Sequence, residues 1–356
     1  MRFSERDEHF MRRALALARR GLGKTSPNPC VGAMVVLAGK IVGEGWHRKA
    51  GGPHAEVSAF RAAGGRAKGA TLYVTMEPCC TWGKTPPCTD AIIAAGVKRV
   101  VVAALDLNPR HHGHGLTVLR RAGIRVEAGL LAKESAEMNE VFNKWITTGL
   151  PHVTAKAAMS LDGKIATRTG DSKWITGATA RREAHRLRAG VDAVIVGANT
   201  VLRDNPRLTL RHGVRGRQPL RVVMDGRGRC PLTARVFSDR LRERTIVVTD
   251  RRSPSRWRRR LAQRGITVLM TKPRDLRGAL RLLGRLNVTS VLIEGGGELL
   301  GAAFNARVVD RVALFYAPIV IGGATKVRGA QKLREVLWRR LADGTLQCEG
   351  RVAGRR

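Results

Sequence analysis

With 356 residues the chain has room for two domains and for substantial buried cores. Its 43% hydrophobic content is ordinary for a globular protein; no apolar run approaches the ~20 residues of a membrane span, and six cysteines are too sparse for a disulfide scaffold. The net charge of +37 would ordinarily point to nucleic acid, but aromatics at 4% supply few stacking platforms, so nonspecific polyanion binding at low salt is expected without a specific nucleic-acid partner.

In chain order, Ser4 with Asp7 forms a capping box. Met11, Ala14, Leu15, Ala18 and Leu22 then recur at helical spacing, and Gly21 and Gly23 end the helix. Positions 31–37 and 40–45 read as a hairpin around Ala38-Gly39, followed by a helix at 54–63 and a strand at 70–75. A helix near 89–95, a strand at 99–103, a helix at 116–122, a strand at 124–127 and one helix over 133–146 complete a sheet covered by helices. Thr147-Thr148-Gly149-Leu150-Pro151 marks a boundary, giving expected domains at 1–149 and 150–356.

The second half restarts with a strand at 152–158, a turn at 161–164 and a helix near 178–189. Strands follow near 191–197, 220–224, 245–249 and 265–269; a helix at 275–286 leads into a strand at 290–293. Glu294-Gly295-Gly296-Gly297-Glu298 opens a further helix, and a strand runs over 311–317, while 323–344 is poorly patterned. Most of the charge lies here, with 43 Lys+Arg against 16 Asp+Glu and a dense arginine run at 251–260. A solvated arginine-rich surface is the plainest account of it.

Chemistry enters at His54-Ala55-Glu56, followed by Glu77-Pro78-Cys79 and Cys88. A catalytic zinc needs three protein ligands and an open fourth position for water, and His54, Cys79 and Cys88 supply the three. Glu56 is the expected proton carrier, taking a proton from that water and passing it to departing ammonia. Nucleic-acid and nucleoside deaminases usually carry a compact P-C-x-x-C, whereas eight residues separate Cys79 from Cys88. The longer loop has room for a cation, and Lys84 is placed to meet a phosphate.

The segment EPCCTWGKTPPC resembles the zinc loop of the bifunctional riboflavin-biosynthesis deaminase/reductase family, with Thr81 where that family has His. The resemblance extends over about 7–323, through PNP at 27–29, GWH at 45–47 and DLNP at 106–109, then KAAMSLDGKIA from Lys156 and VGANTVLRDNPRLT from Val196. A second departure is Gly113-His114-Gly115, where the family has G-R-G. It implies an α/β chain with an N-terminal cytidine-deaminase-like three-layer domain and a C-terminal dihydrofolate-reductase-like domain. The implied cofactors are one Zn2+ per chain and NADPH, and the implied substrate is a small phosphorylated pyrimidine.

By motif, Asn28, His47, Lys84, Asp106 and Asn108 would hold the pyrimidine and ribose phosphate. Ala158, Trp174, Thr200, Asp204 and the run Gly296, Gly297, Glu298, Leu299, Leu300, Gly301 and Ala302 would contact NADPH. Ser172, Arg188, Leu208, Arg211 and Glu294 would contact the reductase substrate, with Lys156 near the reacting ribose. The expected state is a cytoplasmic homo-oligomer without membrane attachment. Two other readings stay open: a deaminase acting on tRNA or single-stranded RNA, and a catalytically silent polyanion-binding protein that kept the fold.

Overall fold

A computed structural model of the protein describes residues 3–167, 175–317, 319, 321 and 333–352. The chain divides into two compact units, Met1–Gly149 and Leu150–Arg356.

In the first unit the elements are α1 (Glu5–Arg19), β1 (Gly32–Leu37), β2 (Lys40–Trp46), α2 (Ala55–Ala63), β3 (Thr71–Met76), α3 (Cys88–Ala94), β4 (Arg99–Ala104), α4 (His114–Arg121), β5 (Arg125–Ala128), α5 (Ala132–Met138) and α6 (Glu140–Thr148). Five strands form one sheet in the order β2-β1-β3-β4-β5. β1 is antiparallel to β2 and β3, and β3, β4 and β5 run parallel. Strand alternation sends Ala33, Val35, Leu72 and Val74 to a core shared with Ala55, Ala59, Ile92 and Leu119. Met34, Val36, Tyr73 and Val101 take the other face against Phe10, Met11, Ala14 and Leu17. The result is three layers, helix on sheet on helix.

The Ser4–Asp7 capping box forms as read. Asp7 also reaches into the sheet: Tyr73 Oη donates to it at 2.6 Å and Arg99 Nη1 at 2.6 Å. Gly43 and Gly45 of β2 let α2 lie backbone-to-backbone on the sheet, since a Cβ on Gly45 would stand 2.4 Å from Ala55 O and Ala59 N. The single helix read at 133–146 is two. Asn139 breaks it, because its side chain serves the Cys30 backbone, accepting from Cys30 N at 2.7 Å and donating to Cys30 O at 3.1 Å. That demand comes from a residue far away in sequence, so helical periodicity carries no trace of it.

The second unit comprises β6 (His152–Ser160), α7 (Ala178–Ala189), β7 (Ala193–Gly197), α8 (Ala198–Asp204), β8 (Leu220–Met224), α9 (Arg235–Ser238), β9 (Thr245–Thr249), α10 (Ser255–Gln263), β10 (Thr267–Met270), α11 (Leu276–Arg285), β11 (Ser290–Gly295), α12 (Gly297–Asn305), β12 (Arg311–Ala317), β13 (Leu333–Arg340) and β14 (Leu346–Val352). Nine strands are ordered β10-β9-β8-β7-β11-β6-β12-β14-β13. All neighbours are parallel except the pairs that β14 makes with β12 and β13. Val194, Val196, Val223 and Val247 pack on one face with Val201, Phe237 and Leu261. Ile195, Val222, Val291 and Ile293 pack on the other with Leu280, Leu283 and Ala303.

Five elements of this unit, α8, α9, α10, β13 and β14, escape pattern reading. β13 falls in the stretch that looked unpatterned; at the sheet edge, with a register shift between Arg334 and Leu337, it leaves both Leu337 and Trp338 exposed, so its alternation is lost. The arginine run contributes to α10, anchored by buried Leu261 and by Trp257, whose Nε1 donates to Cys230 O at 2.9 Å. Arg256, Arg259 and Arg260 face outward, as a solvated helix surface requires.

Candidate active sites

In the first unit the candidate site residues converge where β2 and β3 hand over to helices. His54 is the N-cap of α2, Glu56 lies in its first turn, Cys79 follows β3, and Cys88 opens α3. His54 Nδ1 lies 3.2 Å from Cys88 Sγ and 3.6 Å from Cys79 Sγ, and all three ligand atoms lie within 4.8 Å of one another. A tetrahedral zinc with bonds of about 2.0–2.1 Å to N and 2.3 Å to S requires ligand atoms roughly 3.5–3.8 Å apart. The residues therefore fit a zinc ion bound through Nδ1. Among the described residues this is the one group of three or more His, Cys, Asp or Glu arranged to hold a metal.

The local electrostatics suit a cation. The Cys88 thiol beside it, with His54 and the Cys88 backbone N–H, pulls the Cys79 thiol well below its ordinary range despite burial, while the same pairing holds Cys88 up. The Cys88 N–H donates to Cys79 Sγ at 3.3 Å, as a thiolate favours. Glu56 is 3% exposed, and burial pushes its carboxyl up, with the Cys79 thiolate adding to the shift.

Around this cluster stand the residues assigned by motif. His47 Nδ1 donates to Pro53 O at 3.0 Å, so the proton sits there, and its Nε2 accepts from Asn28 Nδ2 at 3.1 Å. Burial also lowers His47, consistent with a neutral ring. Both ring nitrogens are thus engaged, and in this arrangement His47 orients Asn28. Lys84 is exposed, its Cδ 3.9 Å from the Cβ position of Gly51 in the loop before His54. Asp106 is buried, raised by that burial, and accepts from Asn108 N at 2.8 Å.

Sequence reasoning gave no role to Glu77, which organises this side of the site. Its buried carboxylate accepts from Asp106 N at 3.2 Å, Gly113 N at 2.9 Å and Gly115 N at 3.0 Å. It thereby ties the loop bearing Asp106 and Asn108 to the start of the cysteine loop. The available signal was its place in Glu77-Pro78-Cys79. The histidine cluster after that loop is spent on turns: His112 Nδ1 donates to Asp106 O at 2.9 Å and His114 Nδ1 to Arg110 O at 3.4 Å. Cys80 lies beside His111, its Sγ 3.8 Å from Nδ1.

The second unit gathers its candidates at the C-terminal ends of β6, β7 and β11, where open parallel sheets bind ligands. Gly296 caps α12 and donates its N–H to Thr200 Oγ1 at 3.0 Å, joining two of the motif positions assigned to NADPH. Gly297, Glu298, Gly301 and Ala302 are exposed along the opening of α12, beside the partly covered Leu299 and Leu300. Gly295 has a φ of +149°, which side chains disfavour, and helical amides follow it directly. An exposed helix N-terminus entered through glycines fits the pyrophosphate of a dinucleotide. Thr200 and Asp204 lie on α8, and Ala158 lies on β6 opposite Phe315.

Arg188 and Glu294, each assigned to substrate, pair with one another. The guanidinium donates bidentately at 2.5 and 2.6 Å, and Arg188 Nη1 donates to Thr209 O at 2.9 Å. Against the effect of burial, this pair holds Glu294 low, with Lys156 assisting. Burial lowers the Lys156 ammonium, while Glu294 opposes that shift. The Leu208 side chain is buried in the core, leaving only its backbone for a ligand, and Arg211 is exposed. Ser172 and Trp174 lie outside the described residues.

Two catalytic architectures thus occupy one chain: a zinc-dependent deaminase of the cytidine-deaminase class and a reductase on a mostly parallel, dihydrofolate-reductase-like sheet. Residues 151–348 match the RibD C-terminal domain, and residues 4–104 match the cytidine and deoxycytidylate deaminase zinc-binding region. Riboflavin biosynthesis protein RibD of Aquifex aeolicus is 47% identical over 318 residues, covering 89% of this chain and 88% of that protein. The solved structure of Acinetobacter baumannii RibD superposes with a TM-score of 0.88 at 38% identity, covering 98% of this chain and 99% of that one. A Thermotoga maritima diaminohydroxyphosphoribosylaminopyrimidine deaminase/5-amino-6-(5-phosphoribosylamino)uracil reductase gives a TM-score of 0.83, with the same identity and coverage.

The chain belongs to the family of bifunctional riboflavin-biosynthesis deaminase/reductases. It is a hydrolase and an oxidoreductase, with zinc and NADPH as its cofactors. No helix among the described residues is long and apolar enough to cross a membrane.

Proposed function

We propose that the first unit hydrolyses the 2-amino group of 2,5-diamino-6-(5-phosphoribosylamino)pyrimidin-4-one, releasing ammonia. The second unit then reduces the ribosyl chain of the product to ribityl. The observation that carries the first assignment is the open His54–Cys79–Cys88 cluster beside buried Glu56.

Zinc, when bound, supplies a water acidified toward neutrality as the nucleophile. Glu56, with its carboxyl raised by burial, accepts a proton and delivers it to the departing amine. Asn28, its amide oriented by His47, is assigned the pyrimidine edge, and Asp106 and Asn108, on the loop that Glu77 secures, are assigned by motif to the ring and ribose. Lys84 takes the phosphate from its exposed position on the cysteine loop.

In the second unit NADPH, when bound, supplies the hydride. The α12 opening, with Thr200, Asp204 and Ala158, seats the dinucleotide. Trp174 is assigned beside it by motif alone. Lys156 stands at the reacting ribose, near Arg188 and Glu294. Arg211, the Leu208 backbone and Ser172 complete the substrate contacts in this reading.

Six free thiols support a reducing, cytoplasmic setting, and exposed Leu337 and Trp338 on edge strand β13 support a homo-oligomer. The discriminating experiment is Glu56→Gln, assayed on the diaminopyrimidine phosphate and separately on pre-deaminated substrate with NADPH. Deamination is expected to fall by ~10²–10⁴ with zinc retained, while reduction of the pre-deaminated compound persists. Wild-type deamination in this variant would refute the role of Glu56.

A further inference from the structure

The segment from Leu208 to His212 carries two motif-assigned substrate contacts, Leu208 and Arg211, yet it belongs to no strand or helix. Its ends are strained: Leu208 has a φ of +53° and His212 a φ of +56°, both in the left-handed region that side chains disfavour. Such a conformation persists only where surrounding groups over-determine it. Here three side chains do so. Arg188 Nη1 donates to Thr209 O at 2.9 Å, Gln218 Oε1 accepts from Leu210 N at 2.8 Å, and His185 Nδ1 accepts from Arg211 N at 2.9 Å.

His185 lies one turn before Arg188 on α7, so the two project from the same helix face. It is 4% exposed and packs edge-on against His212, with ring centroids 4.8 Å apart. Its Nδ1 must present a lone pair to accept from a backbone amide. Burial, then the Arg188 charge, holds the ring down at about 4, so that lone pair is available. Arg211 itself has no carboxylate within ion-pair distance among the described residues; burial, then Arg188 and Arg207, disfavour its charge, and the more distant Glu294 only partly opposes them. An anionic group of the substrate would complete it.

We propose that His185 is a positioning residue for the reductase, fixing the Leu208–Arg211 backbone so that Arg211 meets the phosphorylated substrate. This rests on the assignment of Arg211 to substrate made above. His185 touches neither reacting atom in this account. It acts through the amide of Arg211, so its loss registers in substrate KM before it registers in NADPH binding.

The test uses the full-length enzyme and three variants. His185→Leu removes the acceptor, His185→Asn places Oδ1 near the position of Nδ1, and Arg211→Ala removes the assigned contact. Each is measured for KM toward 5-amino-6-(5-phosphoribosylamino)uracil, for NADPH affinity by fluorescence titration, and for deamination as an internal control of folding. His185→Leu is expected to raise KM by about tenfold or more, within the range for ångström-scale misplacement, with NADPH affinity unchanged. His185→Asn is expected to recover most of that loss. If His185→Leu leaves KM unchanged while Arg211→Ala raises it, the positioning role is wrong and the substrate assignment stands. If Arg211→Ala leaves KM unchanged, the assignment fails and the proposal with it. Equal defects in His185→Asn and His185→Leu, or a matching loss of NADPH affinity, show general damage to the unit and overturn the proposal.

Discussion

Gly45→Ala tests whether the His54–Cys79–Cys88 zinc cluster depends on backbone-to-backbone packing of α2 on β2. Gly45 does not occupy the left-handed region, so alanine is admissible there and only the contact is perturbed. The new Cβ would stand 2.4 Å from Ala55 O and Ala59 N, and 2.7 Å from Ser58 Cβ. Two of these atoms are helix backbone, which cannot rotate aside. Restoring ordinary contact near 3.5 Å requires α2 to retreat by about 1 Å. The overpacking should cost about 1–3 kcal/mol of stability.

The retreating helix carries Glu56, with His54 as its N-cap. His54 Nδ1 stands 3.2 and 3.6 Å from its two cysteine partners, so an ångström opens the tetrahedron. Displacing a catalytic group by that much costs on the order of 10² in rate. The assays are zinc content of the purified protein, deamination kcat/KM, and urea unfolding. Reduced zinc retention and a deamination loss of about 10² are expected, with reduction by the second unit intact. A stably folded variant with full zinc and unimpaired deamination would refute the packing argument.

Zinc should be retained at one ion per chain and lost with deamination in Cys79→Ser or Cys88→Ser, whereas Cys80→Ser, beside His111, should keep both; metal analysis decides. Burial alone would raise the Asp7 carboxyl, but hydrogen bonds from Arg99, Tyr73 and Ser4 hold it well below its ordinary value. Its folded pKa is therefore below its unfolded value of about 3.9, so its contribution is present above that pH and is lost as pH falls. Asp7→Asn should cost on the order of 2–3 kcal/mol at neutral pH and flatten the acid limb of stability measured by urea unfolding from pH 7 to 3. At a net charge of +37, RNA should bind at low salt and release by ~0.2 M, without being deaminated; persistent binding or deamination of tRNA would favour the RNA-acting reading.

The sequence by itself carried the metal chemistry, because zinc accepts few ligand types and the eight residues between Cys79 and Cys88 exclude the compact form. It also carried the strands of both sheets wherever burial imposes alternation or an unbroken apolar run, as in β1, β7 and β11. Tertiary structure decided what depends on partners distant in the chain. Asn139 breaks a helix to serve Cys30, and edge strand β13 is defined by pairing with β14, without a buried face of its own. Glu77 gathers three amides 29, 36 and 38 residues on, from the loop before α4 and its first turn, while His47 spends both nitrogens on Pro53 and Asn28. Arg188 and Glu294, separated by 106 positions, reveal themselves as an ion pair only when α7 meets the end of β11. Local pattern records what a residue's own neighbours demand. A hydrogen bond satisfied across the fold leaves no periodicity behind it, so these roles become visible only in three dimensions.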